Sequence, residues 1–269
     1  MDEFIRKKTE ELESAKEATS KRTVDPLKDW IRPLREDCPI CLLELPLSEK
    51  EAMYRTCCDK RICKGCFFDH MICLIKSRVS DDKAKEIIHR CPLCRGPPTH
   101  GTFEDKMILA KAGRLEAMFE MGMVYWLGEG VVKDTDVALE WIKRASEGGY
   151  GKAHYHLADC YSLGEAVDRD TEQALIHYQA AASQGCVKAF VDIGKVLKKM
   201  NGKIGEYLLN FRKAAMCGVC DDELFTELRD AFSDGLITKD EYAFTLRENQ
   251  KVSVEMKSDS RTRAITQMM

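Results

Sequence analysis

Ala117-Met-Phe-Glu-Met-Gly-Met-Val-Tyr125 reappears, with its small and aromatic positions kept, as Ala153-His-Tyr-His-Leu-Ala-Asp-Cys-Tyr161, an offset of 36 residues. The same offset pairs Gly128 with Gly164, Ala138 with Ala174, Leu139 with Leu175, Ala145 with Ala181 and Gly149 with Gly185. A third copy begins at Ala189 with a shortened loop, since Leu208, Ala214 and Gly218 follow Leu175, Ala181 and Gly185 by 33. Periods in this range are the mark of stacked supersecondary units. Each copy reads as helix, short loop, helix: alanines at fixed positions let two helices approach closely, and the glycines that follow supply left-handed caps. One such pair cannot bury its own apolar face, so the copies are expected to stack into an all-α helical-repeat solenoid.

The pattern of small, glycine and aromatic positions over Ala117–Gly149 and Ala153–Gly185 resembles the Sel-1-like repeat, a relative of the tetratricopeptide repeat. It runs over about residues 113–220, and the third copy lacks the Gly-Val loop and is degenerate. The resemblance implies a protein-binding scaffold without catalysis of its own, an inference from fold to function that carries no site by itself. After Asp221 a further helical pair is expected, opened by the capping box Thr238-Lys-Asp-Glu241, and it would serve as the polar-faced cap such an array needs.

The other strong signal is cysteine. Nine of the 13 lie between Cys38 and Cys94. Cys38-Pro-Ile-Cys41, Cys57-Cys58, Cys63-Lys-Gly-Cys66 and Cys91-Pro-Leu-Cys94 make four thiol pairs, enough to close two tetrahedral zinc sites. The N-terminus is charged and has no secretory apolar core, so the thiols are expected in a reducing compartment, cytoplasmic or nuclear, where metal binding outweighs disulfides. Arg55, Lys60, Arg61, Lys64, Arg90 and Arg95 stand close enough in sequence to offset the thiolate charge.

The order CPIC, cysteine group, CxxC, CPLCR resembles the RING finger, in an all-cysteine variant. The resemblance implies a small zinc-bound α+β module holding two zinc ions: one by Cys38, Cys41, Cys63 and Cys66, the other by Cys57, Cys58, Cys91 and Cys94. The usual histidine position falls on Lys60, which is no zinc ligand, so Cys57 takes its place or else His70, Cys73 or His89 does. A single helix is expected after the third pair, where Phe67, Phe68, Met71, Ile72 and Ile75 recur at helical spacing. The family's members are ubiquitin ligases that hold a ubiquitin-charged conjugating enzyme. Ile40 and Pro92 match its enzyme-contacting positions, and Arg95 matches the residue that bridges ubiquitin and enzyme. No tryptophan lies between Cys66 and Cys94, so Leu74 or Ile75 would stand in for the family's aromatic contact.

The chain is thus expected to divide into a charged leader over 1–34, the zinc module over 35–98, helical repeats over 102–220, and a C-terminal helical cap with a frayed tail over 221–269. The breaker run Arg95–Gly101, with Pro97 and Pro98, marks the main boundary. The functional expectation is a RING-type ubiquitin ligase whose repeats recruit a protein substrate, with a non-enzymatic zinc-dependent adaptor as the alternative. A net charge of −3 disfavours a nucleic-acid binder, and no run of about 18 apolar residues spans a membrane. Three weaker signals are read as structural. Asp230–Glu241 has Phe232 where a calcium loop needs a ligand; Cys217-Gly-Val-Cys220 is a lone pair of thiols; and His154, His156 and His177 are surface or packing residues on repeat helices.

Overall fold

The computed structural model describes residues 2–22, 24–30, 38–42, 52–55, 60–76, 92–93, 103–200 and 203–255. The expected boundary at 95–101 lies outside them. The chain divides into two compact units, one of Met1–Leu34 with His154–Ser253, the other of Arg35–Ala153 with Val254–Met269.

In the second unit, strands β1 (Ala52–Arg55) and β2 (Lys60–Cys63) pair antiparallel with Ala52 opposite Cys63 and Arg55 opposite Lys60. Helix α2 (Lys64–Lys76) starts where β2 ends, so the third cysteine pair straddles a strand–helix junction. This is the helix anticipated after that pair. Helix α3 (Phe103–Lys111) precedes α4 (Leu115–Leu127) and α5 (Thr135–Glu147), the two helices of the first repeat.

The division between the units falls within α6 (Gly151–Leu163). The first unit then carries α7 (Thr171–Ser183), the pair α8 (Lys188–Lys199) and α9 (Ile204–Met216), and the pair α10 (Asp222–Ser233) and α11 (Lys239–Glu255). The 36-residue period recurs in atomic detail. Asp134 accepts from the N–H groups of Asp136 and Val137 at the start of α5. Asp170 does the same for Glu172 and Gln173 at the start of α7, each satisfying two donors that a helix start leaves open. The helix ends match as well: Tyr150, Cys186 and Val219 donate to the carbonyls of Ala145, Ala181 and Ala214, across Gly149, Gly185 and Gly218, all with φ between +84° and +87°. Side chains other than glycine pay for that conformation sterically. Ala117, Ala138, Ala145, Ala153, Ala174, Ala181, Ala189 and Ala214 are fully buried, as close helix approach requires.

The degenerate third copy meets the second through a partly buried polar contact, Tyr155 of α6 donating to Asp192 of α8 at 2.6 Å, and within the second copy Tyr178 of α7 donates to Asp159 of α6 at the same distance. Burial holds both carboxyls above the ordinary aspartate range despite these bonds. At α11 the capping box closes reciprocally: Thr238 N–H donates to Glu241 Oε2 at 2.8 Å, and Glu241 N–H to Thr238 Oγ1 at 3.2 Å.

Of the stretch read from sequence as a charged leader, residues 2–22 and 24–30 are described; they carry helix α1 (Asp2–Ser20) and meet the C-terminal helices of their unit. Thr19 and Leu27 are buried there. Asp25 pairs with Arg212 of α9, and Arg22 with Glu241 of α11. Ion pairs thus join buried Leu27 in holding the segment, and a hydrophobic pattern does not register them.

Candidate metal centre

Cys38 and Cys41 sit on the tight turn 38–42, Cys63 ends β2 and Cys66 lies in the first turn of α2. The four sulfurs lie within 4.8 Å of one another. Cys38, Cys63 and Cys66 are buried with Ile62 in a small core, against which Cys41, Phe67 and Leu93 pack. The set brought together is the first and third pairs; the second and fourth pairs lie outside the described residues.

The donor chemistry fits a zinc ion. Zn–S bonds of about 2.3 Å place tetrahedral sulfurs roughly 3.8 Å apart, and Cys41 Sγ lies 3.9 Å from Cys63 Sγ. Backbone N–H groups are aimed at the sulfurs, from Cys63 to Cys38 Sγ at 3.5 Å and from Cys66 to Cys63 Sγ at 3.4 Å. Burial pushes the Cys38 thiol up, but backbone hydrogen bonds from Cys41, Cys63 and Ile40 outweigh it and bring the group down to about 7. Cys66 is pushed up, first by burial and then by its hydrogen bond to Cys63 and the negative charge on Cys63 and Cys38. Four thiols this close cannot all ionise unless a cation offsets their charge. All four could hold one ion, whose role would be structural, since four protein ligands leave no open position.

Cys57, Cys58, Cys91, Cys94, Arg95 and His89 lie outside the described residues, as do the side chains of Cys73 and Leu74. Ile40, between the first two thiols, is 41% exposed and Pro92 is half-buried. Leu42 is a residue that motif reading missed. It is 75% exposed, donates its N–H to Cys38 O at 2.8 Å and holds φ at +56°, a strained value for a leucine. The turn that gathers the thiols therefore presents two apolar side chains outward. The only signal for Leu42 in the sequence is its place directly after Cys41.

On the repeats, His154 and His177 face one another, Nδ1 to Nδ1 at 3.1 Å, and His177 stacks on Tyr161 with rings 10° from parallel. Burial lowers His177, and the charge of His154 lowers it further.

Residues 115–150 and 151–186 match the family model for the Sel1 repeat. These two stretches are Sel1 repeats. Both lie C-terminal to the nine cysteines of residues 38–94. Among solved structures, a Sel1 repeat protein from Oxalobacter formigenes is 27% identical over 47% of this chain and 96% of its own, with a TM-score of 0.44. The protein c5321, a protective antigen of uropathogenic Escherichia coli strains with an SLR fold, is 31% identical over 58% of this chain, TM-score 0.48. That match spans 34% of c5321, about a third of its length. No curated protein matches the chain. No described helix is long and apolar enough to cross a membrane.

Proposed function

We propose that this chain is a two-zinc, RING-type ubiquitin ligase whose Sel1 repeats recruit a protein substrate. The observation that carries the reading is the cluster of Cys38, Cys41, Cys63 and Cys66, with sulfurs within 4.8 Å, on a turn that exposes Ile40 and Leu42. Cys38, Cys41, Cys63 and Cys66 would hold one zinc ion, and Cys57, Cys58, Cys91 and Cys94 the other. The zinc would fix the turn. Ile40, Leu42 and Pro92 would then offer an apolar surface to a ubiquitin-conjugating enzyme, and Leu74 would supply the contact that the family makes with an aromatic residue. Arg95 would donate to ubiquitin and enzyme together, since a planar guanidinium can serve two acceptors. Such a module forms no covalent intermediate; its contribution is holding the thioester in reactive geometry.

A second reading, a non-enzymatic adaptor, is favoured by the two Sel1 repeats at 115–186, which suggest a protein-interaction scaffold and require no transfer chemistry. A panel of ubiquitin-charged conjugating enzymes separates the two. Discharge stimulated by the zinc-loaded chain supports the ligase, and absence of discharge across the panel leaves the adaptor.

A further inference from the structure

Arg212 is 1% exposed, the largest fully buried side chain among the described residues. Its Nε–H donates to Thr245 Oγ1 at 3.0 Å, one Nη to Glu241 Oε1 at 3.4 Å, and the other to the Glu241 carbonyl at 3.3 Å and to Asp25 Oδ2. Three of these four acceptors belong to α11. The fourth comes from the N-terminal arm, 187 residues away. The arm returns a cation: Arg22 donates to the same Glu241 Oε1 at 2.7 Å.

We propose that α9 and α11 form a peptide-recognition socket centred on Arg212, that Arg22, Asp25, Leu27 and Trp30 of the N-terminal arm are its resident ligand, and that a partner segment of the same chemistry displaces them. The inference stands apart from the cysteine module.

Charge balance makes the arm separable. Asp25, Arg212, Glu241 and Arg22 alternate in sign, and each side contributes one acid and one base. Withdrawing the arm removes a neutral pair and leaves a neutral pair, so neither surface keeps an uncompensated buried charge, the usual penalty for opening a buried ionic contact. Arg212 then still has Thr245 and Glu241, and Glu241 keeps its bond from Thr238 N–H. The charged groups of the socket therefore keep partners when the arm leaves.

The arm is held at few points. Among the described side chains of α1, Thr19 alone is buried, its hydroxyl on Leu236 O at 2.9 Å. A helix with so little buried surface belongs to the low-stability end of a fold. Recognition is concentrated in the segment that follows. Asp25 accepts from Leu27 N–H through Oδ1 while Oδ2 faces Arg212, so its own turn aims the carboxylate. Leu27 is 1% exposed. Trp30 meets the edge of Phe190 with centroids 5.8 Å apart, and Lys213 Nζ lies 5.8 Å over the same ring. The chemistry read is a base, an acid three residues on, a leucine two beyond and a tryptophan three beyond that.

The test uses the full-length, zinc-loaded chain and a fluorescent peptide of residues 22–30, followed by anisotropy. Asp25→Ala loosens the resident arm, so that variant should bind the peptide at least tenfold more tightly than the wild type does. A peptide carrying Asp25→Asn should lose at least tenfold on the variant. Arg212→Met placed together with Asp25→Ala should abolish binding, while helical ellipticity shows that both chains fold. Should Asp25→Ala fail to fold, Arg22→Ala, at the more exposed end of the ring, carries the same measurement; if that variant fails to fold as well, the arm is a required part of the core and the proposal falls. A folded Asp25→Ala chain that ignores the peptide, or equal binding of the Asp and Asn peptides, also overturns it.

Discussion

Nε of Arg61, two residues before Cys63 on β2, lies 3.4 Å from Oε1 of Glu116, the second residue of α4, with the two side chains 18% and 12% exposed. A strand that positions a proposed zinc ligand is thereby tied to the first Sel1 repeat. Tyr150 senses the same pair: burial raises its phenol and the charge of Glu116 adds to this, while Arg61 opposes it.

Glu116→Gln leaves Arg61 largely buried without its counter-charge. The expected loss is about 2 kcal/mol, between the values for exposed and fully buried pairs, read by chemical denaturation of the zinc-loaded chain. Arg61→Met combined with Glu116→Gln should recover most of it, because no orphan charge remains. Additive losses in the double variant would show that the two side chains are not coupled.

Zinc content tests the thiol assignment. If all eight thiols ligate as proposed, the chain should carry two zinc ions, read by elemental analysis. Cys38→Ser should release one, since it removes a buried thiol from the cluster of Cys38, Cys41, Cys63 and Cys66. Cys57→Ala should release the other unless His70, Cys73 or His89 completes that site. A wild-type chain purified with one ion or none would count against the RING reading.

Local signals were the legible ones. A CxxC pair announces its own bite, so Cys38–Cys41 and Cys63–Cys66 could be named from spacing, and the structure sets their sulfurs together. Asp134 and Asp170 are likewise legible, because an N-cap acts on residues two and three places on. Glu241 was half legible. Its capping of Thr238 is local, whereas its bonds to Arg212 and Arg22 cross 29 and 219 residues. The contacts of the N-terminal segment were illegible for the same reason: the Asp25 carboxylate reveals nothing until its partner Arg212, 187 residues away, is known. His154 and His177, 23 apart on opposite helices of one repeat, show no motif at all.

That histidine pair predicts a pH dependence. With Nδ1 atoms 3.1 Å apart, one ring must donate to the other, and protonating both sets like charges face to face. His177 therefore has a folded-state value below the ordinary histidine value of 6.5, through burial and then His154. A group depressed on folding takes up protons more readily in the unfolded chain. Stability contributed here is present above about pH 6.5 and lost as pH falls through the lower folded value. His177→Phe keeps an aromatic ring for Tyr161 to stack on and removes the proton. Melting temperatures measured between pH 7.5 and 5 should fall more steeply for wild type than for this variant. Parallel curves would refute the assignment.

Helix approach within the third copy is limited by Gly194. A Cβ built there would stand 2.4 Å from Cε1 of the buried Phe211. Gly194→Ala gains about 1 kcal/mol of helix propensity, yet overpacking of a filled interface costs about 1–3 kcal/mol, so a net loss is expected. Gly205, on α9, has nothing within 4 Å of a built Cβ, and Gly205→Ala should be neutral or stabilising. Thermal unfolding of the two variants side by side reads the difference. A stabilised Gly194→Ala would mean that Phe211 can move aside.

Ile40, Leu42 and Arg95 should fail in different ways if the chain is a ligase. Ile40 and Leu42 are exposed, at 41% and 75%, so truncating them removes no core packing and should leave zinc content intact. Each buries its apolar surface only against a partner, worth up to about 1.5–3 kcal/mol for a fully buried side chain. Ile40→Ala or Leu42→Ala should therefore raise the concentration of conjugating enzyme needed for half-maximal discharge by roughly tenfold, with the saturated rate little changed. Arg95→Ala acts later. Capture is kept, but the guanidinium that would hold ubiquitin against the enzyme is gone, so the saturated rate should drop tenfold or more, equivalent to about 1.4 kcal/mol of transition-state positioning. Arg95→Lys should recover little, because a point charge cannot bridge two acceptors as a planar fork does. Single-turnover discharge at varied enzyme concentration separates the two effects. Equal saturated rates for wild type and Arg95→Ala would remove Arg95 from the mechanism while leaving the apolar turn as a docking surface.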